Sequence, residues 1–321
     1  MKSATLNRLW IVLPALLLSC YAQAITIQDD VGSTEFASPP QRIVALTWSH
    51  AEILLTLGVT PVAVATVPGY RKWQSNQPPL PDSVVDVGHR GNPNLEVIAR
   101  LQPDLILGYN FRHQNQLERL QHIAPTLLYR QYPSSSDADF RYFQQMLRVT
   151  RDLARLLNKE AEAEAAIQTM QSTIQQAKQQ LAAAGLQEQP IVLGKFVGMG
   201  MGLRVFTDTS MSADVANQLG LRNQWHSGLP GRDFSHIQLP QMLALGNCHL
   251  VIFGDDSDET TLMQQSAIWP QLEFVKSNRV YRVDNSWGFG GPLSATLMAQ
   301  RISQALLAHT ASEPTPLERI P

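Results

Sequence analysis

The feature that most constrains the fold is the stretch of residues 139–184, which contains neither proline nor glycine. Leu153, Leu156 and Leu157 follow helical spacing, and the part after Asn158 is rich in alanine, glutamine, glutamate and lysine. Both patterns favour helix. We predict one long helix or two abutting helices over residues 139–186, a segment too long for a simple crossover between strands. Such a segment can act as a rigid spine that joins two lobes.

Before the spine, short apolar runs alternate with helical patterns between residues 25 and 138. Strands are predicted at Arg42–Leu46, Val62–Ala65, Asp104–Gly108 and Thr126–Tyr129, and a helix at Gln114–Ile123. Ser49 and Glu52 have the spacing of a capping box at the start of the helix after the first strand. Strands that alternate with helices of this length indicate parallel βαβ units.

After the spine, the alternation resumes between residues 187 and 310. Strands are predicted at Ile191–Phe196, His249–Phe253 and Arg279–Val283. The fold class we expect is therefore α/β, with two Rossmann-like lobes joined by the backbone helix and a ligand cleft between the lobes. Residues 311–321 are rich in proline and are expected to form a disordered tail.

The first 24 residues have the layout of a cleavable secretory signal. Lys2 and Arg8 precede the apolar run Leu9–Leu18, and Ala22-Gln23-Ala24 is a small-x-small cleavage site. The apolar run is too short to span a bilayer, which takes about 20 residues. We expect cleavage after Ala24 and export, with a lipoprotein signal that ends at Cys20 as the alternative.

Composition and motifs exclude several function classes. The chain carries 25 basic and 27 acidic side chains, a formal net charge of -2, which argues against a nucleic-acid partner. It contains no phosphate-binding loop, dinucleotide fingerprint, H-E-x-x-H or G-x-S-x-G motif, and its histidines have no ligand spacing. We expect no metal site built from protein side chains.

Aromatic residues and an arginine stand on loops that follow predicted strands. These are Trp73, Arg90, Tyr109, Trp287 and Phe289. Ligands of open α/β sheets bind at the carboxyl ends of strands, and such side chains suit a partly apolar ligand with polar oxygens. Taken singly, each of them also fits an ordinary surface or core position. From pattern alone, the sequence indicates an exported two-lobed α/β protein that binds a ligand.

Several segments resemble one family. Residues 42–46, 52–61, 80–88 and 93–105 resemble the ferric hydroxamate branch of the helical-backbone periplasmic substrate-binding proteins, which serve ABC importers of ferric siderophores, haem and vitamin B12. The resemblance resumes at Trp269 and at residues 274–275, 279–283 and 293–295, and it covers about residues 25–307.

The resemblance implies a shallow cleft with limited closure on binding. It implies that Trp73, Arg90 and Tyr109 contact a siderophore from the first lobe and that Trp287 does so from the second. We add Trp48, which follows the first predicted strand, to this expected set. The arginine would donate hydrogen bonds to hydroxamate oxygens around iron(III). The siderophore supplies every iron ligand, so no cofactor is expected to bind the protein directly.

Two positions depart from the hydroxamate branch. Arg232 stands where that branch has a tryptophan, and Phe289 stands where it has a tyrosine. An added arginine favours a more anionic ligand, such as a citrate-hydroxamate or a catecholate, over a neutral ferrichrome type.

The resemblance also implies docking to a permease through an acidic residue on each lobe. Glu118 matches the position in the first lobe. The second position, Leu239-Pro240-Gln241, has no acid, and Asp233 is the substitute we consider.

The expected function is that of a monomeric periplasmic carrier of a ferric siderophore, with a ferric hydroxamate as the first choice. The carrier would deliver its ligand to an inner-membrane ABC permease with its ATPase and would catalyse no reaction. The alternatives are a carrier of a ferric catecholate, haem or cobalamin, and an exported α/β enzyme, for which the sequence offers no nucleophile with an evident base.

Overall fold

The computed structural model describes residues 24–134, 139–197, 201–229, 231–254, 261 and 265–312. The signal segment before Ala24 and the tail from residue 313 lie outside the described residues, so the predictions for these segments stay predictions. Within the described ranges, none of the helices combines the length and the apolar character that a bilayer span requires.

The first lobe is built on a parallel sheet. Its strands are β1 Ile25–Gln28, β2 Ser33–Phe36, β3 Ile43–Ala45, β4 Ala63–Val64, β5 Val85–Asp86, β6 Gly88–His89, β7 Asn92–Pro93, β8 Leu105–Tyr109 and β9 Thr126–Tyr129. The sheet order is β5-β4-β3-β8-β9, and every neighbouring pair is parallel. The central strands β3 and β8 are buried throughout, as expected when helices cover both faces of a parallel sheet. The predicted strands of this lobe are confirmed.

The helices of the first lobe are short. They are α1 Trp48–Thr56, α2 Val67–Trp73, α3 Leu95–Arg100, α4 Asn110–His113 and α5 Leu117–Gln121. The prediction of one helix over Gln114–Ile123 is wrong in part, because a 3₁₀ turn at Gln114–Gln116 separates α4 from α5.

The predicted capping box at the start of α1 is also wrong. The N-cap is Thr47, whose hydroxyl accepts a hydrogen bond from the backbone N–H of His50 at 3.3 Å. The chain is extended at Thr47, so the helix begins earlier than the Ser49 to Glu52 spacing indicated. Glu52 is fully buried and faces the second lobe instead of the helix terminus.

The spine consists of two abutting helices, α6 Tyr142–Leu157 and α7 Glu160–Ala183. Asn158 separates them in the left-handed conformation, with φ 54° and ψ 48°, which asparagine tolerates better than most residues. The first half of α6, including Met146, packs into the core of the second lobe. Its second half, including Leu153, packs into the core of the first lobe. The spine is therefore anchored in both cores.

The second lobe contains a mixed sheet. Its strands are β10 Pro190–Phe196, β11 Leu203–Phe206, β12 Arg222–Asn223, β13 Phe234–Ile237, β14 His249–Phe253 and β15 Val280–Val283. The order is β13-β11-β10-β14-β15, with β12 also paired to β10. Strands β10, β14 and β15 confirm the predicted parallel strands, whereas β11 runs antiparallel to both β10 and β13. This antiparallel extension was not predicted from the sequence.

The remaining helical segments of the second lobe cover and close its sheet. They are α8 Met211–Gln218, the 3₁₀ segments Leu239–Leu245 and Trp269–Gln271, α9 Glu273–Lys276 and α10 Pro292–Ser312. Helix α10 packs along the spine through buried residues such as Met298 and Ile302. Its last residue lies just beyond residue 311, where the tail was expected to begin.

Candidate functional site

A continuous series of aromatic rings crosses from the first lobe to the second. Trp48, at the start of α1, has its ring centroid 4.8 Å from that of Trp287 in the loop after β15. Trp287 lies 5.6 Å from Phe289, and Phe289 lies 5.5 Å from Tyr132, measured between ring centroids. The series thus returns to the first lobe, where Tyr132 follows β9.

Tyr132 is the branch point of this series. Its ring centroid lies 4.9 Å from that of Phe111 in α4 and 6.3 Å from that of Phe234 at the start of β13. Rings from both lobes therefore form one connected surface between them.

Each part of this surface carries a guanidinium group. The Arg90 guanidinium carbon lies 3.5 Å from the Trp48 ring centroid and 5.5 Å from that of Trp287. Corresponding distances are 4.7 Å for Arg112 over Phe111, 4.8 Å for Arg232 over Tyr132 and 4.1 Å for Arg204 over Phe234. We call this set of rings and arginines the interlobe cluster: Trp48, Arg90, Phe111, Arg112, Tyr132, Arg204, Arg232, Phe234, Trp287 and Phe289.

The interlobe cluster has an excess of positive charge. In the part of the chain that the structure describes, none of its four arginines forms an ion pair. Burial and the nearby Arg112 cation lower the pKa of Arg90 to about 10. Burial also lowers the pKa of Arg112 and of Arg204, and Arg232 adds to both effects. Arginine side chains keep their positive charge in proteins, so the cluster favours an oxygen-rich or anionic ligand.

Asp233 is the carboxylate next to Arg204 and Arg232. It is 1% exposed, and among the described residues neither of its carboxylate oxygens has a hydrogen-bond partner on another residue. Burial raises the pKa of Asp233 to about 7, although the two arginines favour its ionised form. Because the side chain is buried, the expectation that Asp233 offers a surface contact to a permease is wrong.

His113 holds the loop of Arg90 in place. Its Nε2 lies 2.7 Å from the Arg90 carbonyl oxygen, and its Nδ1 accepts a hydrogen bond from the Tyr109 backbone N–H at 3.0 Å. These contacts fit a neutral imidazole with its proton on Nε2, and burial lowers the pKa of His113. A Cβ at Gly108 would lie 2.7 Å from His113 Nδ1, so this strand end requires glycine.

Tyr109 lies beneath the interlobe cluster. Its hydroxyl is 3.0 Å from that of Tyr142, which in turn donates to the Phe289 carbonyl oxygen. Tyr109, Trp48 and Phe289 are each 5% exposed or less. The structure brings these three expected residues to the interface as buried support, whereas Arg90 and Trp287 are partly exposed.

Trp73 lies at a second contact between the lobes. The ammonium of Lys195, from the second lobe, is 4.2 Å from its ring centroid. Lys195 donates to Asn285 Oδ1 at 2.7 Å, and Ser75 Oγ donates to the Asn285 carbonyl oxygen at 3.0 Å. Trp73 therefore contacts a lysine of the opposite lobe, while Arg90 stacks on Trp48 and Trp287.

A third contact joins Glu52 to the start of α10. The carboxylate accepts hydrogen bonds from the Ser294 backbone N–H at 2.8 Å and from Ser294 Oγ at 2.6 Å, and also from Gln74 Nε2. A Cβ on Gly290 would lie 2.3 Å from Glu52 Oε2, and one on Gly291 would lie 2.7 Å from Ile53 Cγ1. Gly290 and Gly291 thus make room for this contact between the lobes.

Sequence analysis missed much of the interlobe cluster. Phe111 and Arg112 follow Tyr109 at the end of β8, so the signal that selected Tyr109 also applied to them. Arg204 and Phe234 lie in β11 and β13, whose antiparallel pairing no local pattern revealed.

Across the described ranges, no group of three or more histidine, cysteine, aspartate or glutamate residues is arranged to hold a metal ion. Cys248 is buried in the core of the second lobe.

Comparison with known proteins places this architecture in a family. The family model described as periplasmic binding protein matches residues 43–286. The iron(3+)-hydroxamate-binding protein FhuD of Escherichia coli K12 is 29% identical over 275 residues, 84% of this chain and 88% of that protein. The Fe(3+) dicitrate-binding periplasmic protein FecB of the same organism is 28% identical over 289 residues, 85% of this chain and 86% of that protein.

A solved structure agrees with this assignment. FhuD from Vibrio cholerae, bound to Fe3+-Desferal, has a TM-score of 0.77 and 30% identity, and the match covers 84% of this chain and 98% of that one. The fold class predicted from the sequence, with a parallel sheet and helices in two lobes, is therefore confirmed. The family match over most of the chain and the shared two-lobed fold show that this chain belongs to the periplasmic binding protein family.

Proposed function

We propose that this chain captures a ferric siderophore and delivers it to an inner-membrane ABC permease with its ATPase. The observation that carries the proposal is the interlobe cluster, in which guanidinium groups without an ion pair among the described residues stand on aromatic rings from both lobes. The rings that are at least partly exposed, Phe111, Tyr132 and Trp287, suit the apolar arms of a chelate, and the guanidinium groups suit its oxygens. Iron(III) then travels as part of the ligand, within the chelate.

A ferric hydroxamate is the ligand class we favour. The relatives named FhuD are an iron(3+)-hydroxamate-binding protein and a protein solved with Fe3+-Desferal. Arg90 is partly exposed, and among the described residues neither its guanidinium nor the Trp287 Nε1–H has a hydrogen-bond acceptor. Both donors suit the oxygens of a hydroxamate chelate.

Location and assembly follow from the same proposal. FecB is named a periplasmic protein, and the first 24 residues of this chain have the layout of an export signal. We assign the mature chain from Ile25 to the periplasm, as a monomer. We assign it no catalytic step, because the relatives named here are binding proteins.

The test is a tryptophan-fluorescence titration of the mature protein with ferric hydroxamates, ferric catecholates, haem and cobalamin. We expect saturable quenching by a ferric hydroxamate, because Trp48 and Trp287 lie at the interface. Arg90→Gln should weaken this binding by about 10- to 100-fold, the usual value of a charged hydrogen bond.

Arg151→Gln is the matched control. It removes the same charge from an exposed arginine on the spine, which pairs with Glu164, and it should leave affinity unchanged. Quenching by haem or cobalamin alone would replace the siderophore assignment. Absence of quenching by every compound would reject the binding proposal.

A further inference from the structure

Tyr132 is surrounded by the three arginines of the interlobe cluster other than Arg90. Arg232 stacks directly on the Tyr132 ring, whereas Arg112 and Arg204 stack on Phe111 and Phe234, the two rings that flank it. The Tyr132 ring centroid lies 4.9 Å from that of Phe111 and 6.3 Å from that of Phe234. Their guanidinium groups therefore converge on one region between the lobes.

The charge in this region is not balanced by the protein. Among the described residues, Arg112, Arg204 and Arg232 form no ion pair. The carboxylate that faces two of them is Asp233, which is buried and carries only part of a charge at neutral pH, since its pKa is raised to about 7. Partly desolvated charges of the same sign repel one another. An anion placed among these arginines therefore gains more binding free energy than it would at a lone arginine.

These arginines also keep several guanidinium N–H groups that can donate hydrogen bonds to a ligand. Arg232 Nη1 donates to the Gly231 carbonyl oxygen and Arg204 Nε donates to His236 Nε2, which leaves further N–H groups on both side chains. No hydrogen bond to another residue is recorded for the Arg112 guanidinium in the described part of the chain. A guanidinium offers five N–H donors in a planar fork that matches a carboxylate.

We propose that Arg112, Arg204 and Arg232 form a carboxylate-binding subsite around Tyr132, which selects ferric chelates that carry free carboxylate groups. The inference rests on the proposed function and narrows it to mixed carboxylate-hydroxamate chelates. Arg90 and Trp287 bind the hydroxamate oxygens, and the subsite binds the carboxylates. A neutral tris-hydroxamate would leave these three cations desolvated and unpaired.

The experiment compares three ferric probes by tryptophan fluorescence. Ferrichrome is a neutral tris-hydroxamate, ferric aerobactin is an anionic citrate-hydroxamate, and ferric enterobactin is an anionic tris-catecholate without carboxylates. We expect aerobactin to bind at least tenfold more tightly than ferrichrome, and its affinity to fall as salt is raised from 50 to 500 mM, because screening weakens exposed charge interactions.

The variants Arg112→Gln, Arg204→Gln and Arg232→Gln locate the effect. Each should weaken ferric aerobactin by about tenfold or more and change ferrichrome affinity by less than threefold. Arg232 is exposed, so its variant should fold normally, and circular dichroism checks the other two. Arg151→Gln serves again as the control for loss of charge.

The outcomes separate the subsite from the proposed function. Ferrichrome binding as tightly as aerobactin, or equal losses for both ligands in the three variants, would overturn the subsite and keep the carrier. Ferric enterobactin is anionic without carboxylates: if it binds as tightly as ferric aerobactin and depends on the same arginines, the site recognises negative charge alone. That outcome would reject the selection of carboxylate groups. No binding of any probe would reject both proposals.

Discussion

At the scale of single residues, the neighbouring groups determine where each cationic side chain is held. Arg90 on its own resembles a surface arginine. In the structure its guanidinium stacks on Trp48, and its backbone N–H donates to Thr66 Oγ1 at 3.1 Å while its carbonyl oxygen is held by His113. A loop fixed at both the amide and the carbonyl presents the guanidinium in one place, which reduces the entropy lost on binding.

Asp233 gives a prediction at this scale. Its pKa lies near 7 in the folded protein against an ordinary value of 3.8. Between these values the folded state holds a proton that the unfolded state releases, so the contribution of Asp233 to stability falls as pH rises from about 4 to 7. Asp233→Asn removes this loss and should raise the free energy of unfolding by more at pH 8 than at pH 5, with a difference on the order of 1–3 kcal/mol between the two pH values.

Urea unfolding of both proteins at pH 5 and pH 8 measures the difference. Asp82→Asn is the control, because Asp82 is exposed on a loop and pairs with the exposed Arg71. Stability differences that are equal at the two pH values would contradict the prediction.

At the scale of elements, helix α10 is capped by a residue of the other lobe. Glu52 accepts from the backbone N–H and hydroxyl of Ser294, in the first turn of α10. A carboxylate at this position satisfies free N–H groups and interacts favourably with the positive end of the helix dipole. Burial raises the pKa of Glu52, while hydrogen bonds from Ser294, Gly291 and Gln74 counter this effect.

A double-mutant cycle tests this cap. Glu52→Ala and Ser294→Ala should each destabilise the protein, by about 1–3 kcal/mol for loss of a buried hydrogen-bond partner. The double variant should lose less than the sum, with a coupling of about 1–2 kcal/mol, because the two groups share one interaction.

Thr47→Ala and Glu52→Ala form the matched control cycle. Thr47 caps α1 within the first lobe, and its hydroxyl contacts His50 and not Ser294. Thr47→Ala should cost about 1 kcal/mol and show weaker coupling to Glu52. Additive losses for Glu52 and Ser294 would mean that the contact does not join the lobes energetically.

At the scale of the whole molecule, the lobes are held together at several places. The spine helix α6 enters both cores, the Glu52 cap joins α1 to α10, and Ser75 contacts Asn285 across the interface. Together these contacts oppose a wide hinge motion. Glu118, the residue expected to dock to a permease, lies on α5 of the first lobe and is exposed.

Glu118→Arg gives a prediction at this scale. We expect unchanged ligand affinity and unfolding temperature, because Glu118 is exposed and lies outside the interlobe cluster. Uptake of radiolabelled ferric chelate by cells that depend on this carrier should fall by about tenfold or more under the proposed docking, since the reversal replaces an acidic contact with a positive charge. Glu35→Arg, a charge reversal on the hairpin strand β2, is the control and should support normal uptake. Normal uptake with Glu118→Arg would remove this residue from the docking surface.

The sequence by itself determined the local elements, because local patterns encode them. Buried parallel strands such as β8 and β14 read as continuous apolar runs, and the segment without proline or glycine could only be helical. It also placed Arg90 and Trp287 on loops after strands, and the structure brings both to the interface. The break at Asn158 remained open, since one residue in the left-handed conformation leaves little trace in composition.

Only the tertiary structure decided which distant residues meet. The local spacing predicted that Glu52 caps its own helix, but Glu52 accepts a hydrogen bond from Ser294, 242 positions away in the chain. Arg204 and Arg232 come together through the antiparallel pairing of β11 and β13, which depends on contacts between strands and not on local spacing. The charge excess of the interlobe cluster likewise exists only after folding, because desolvation and the approach of like charges arise when the lobes bury these side chains together.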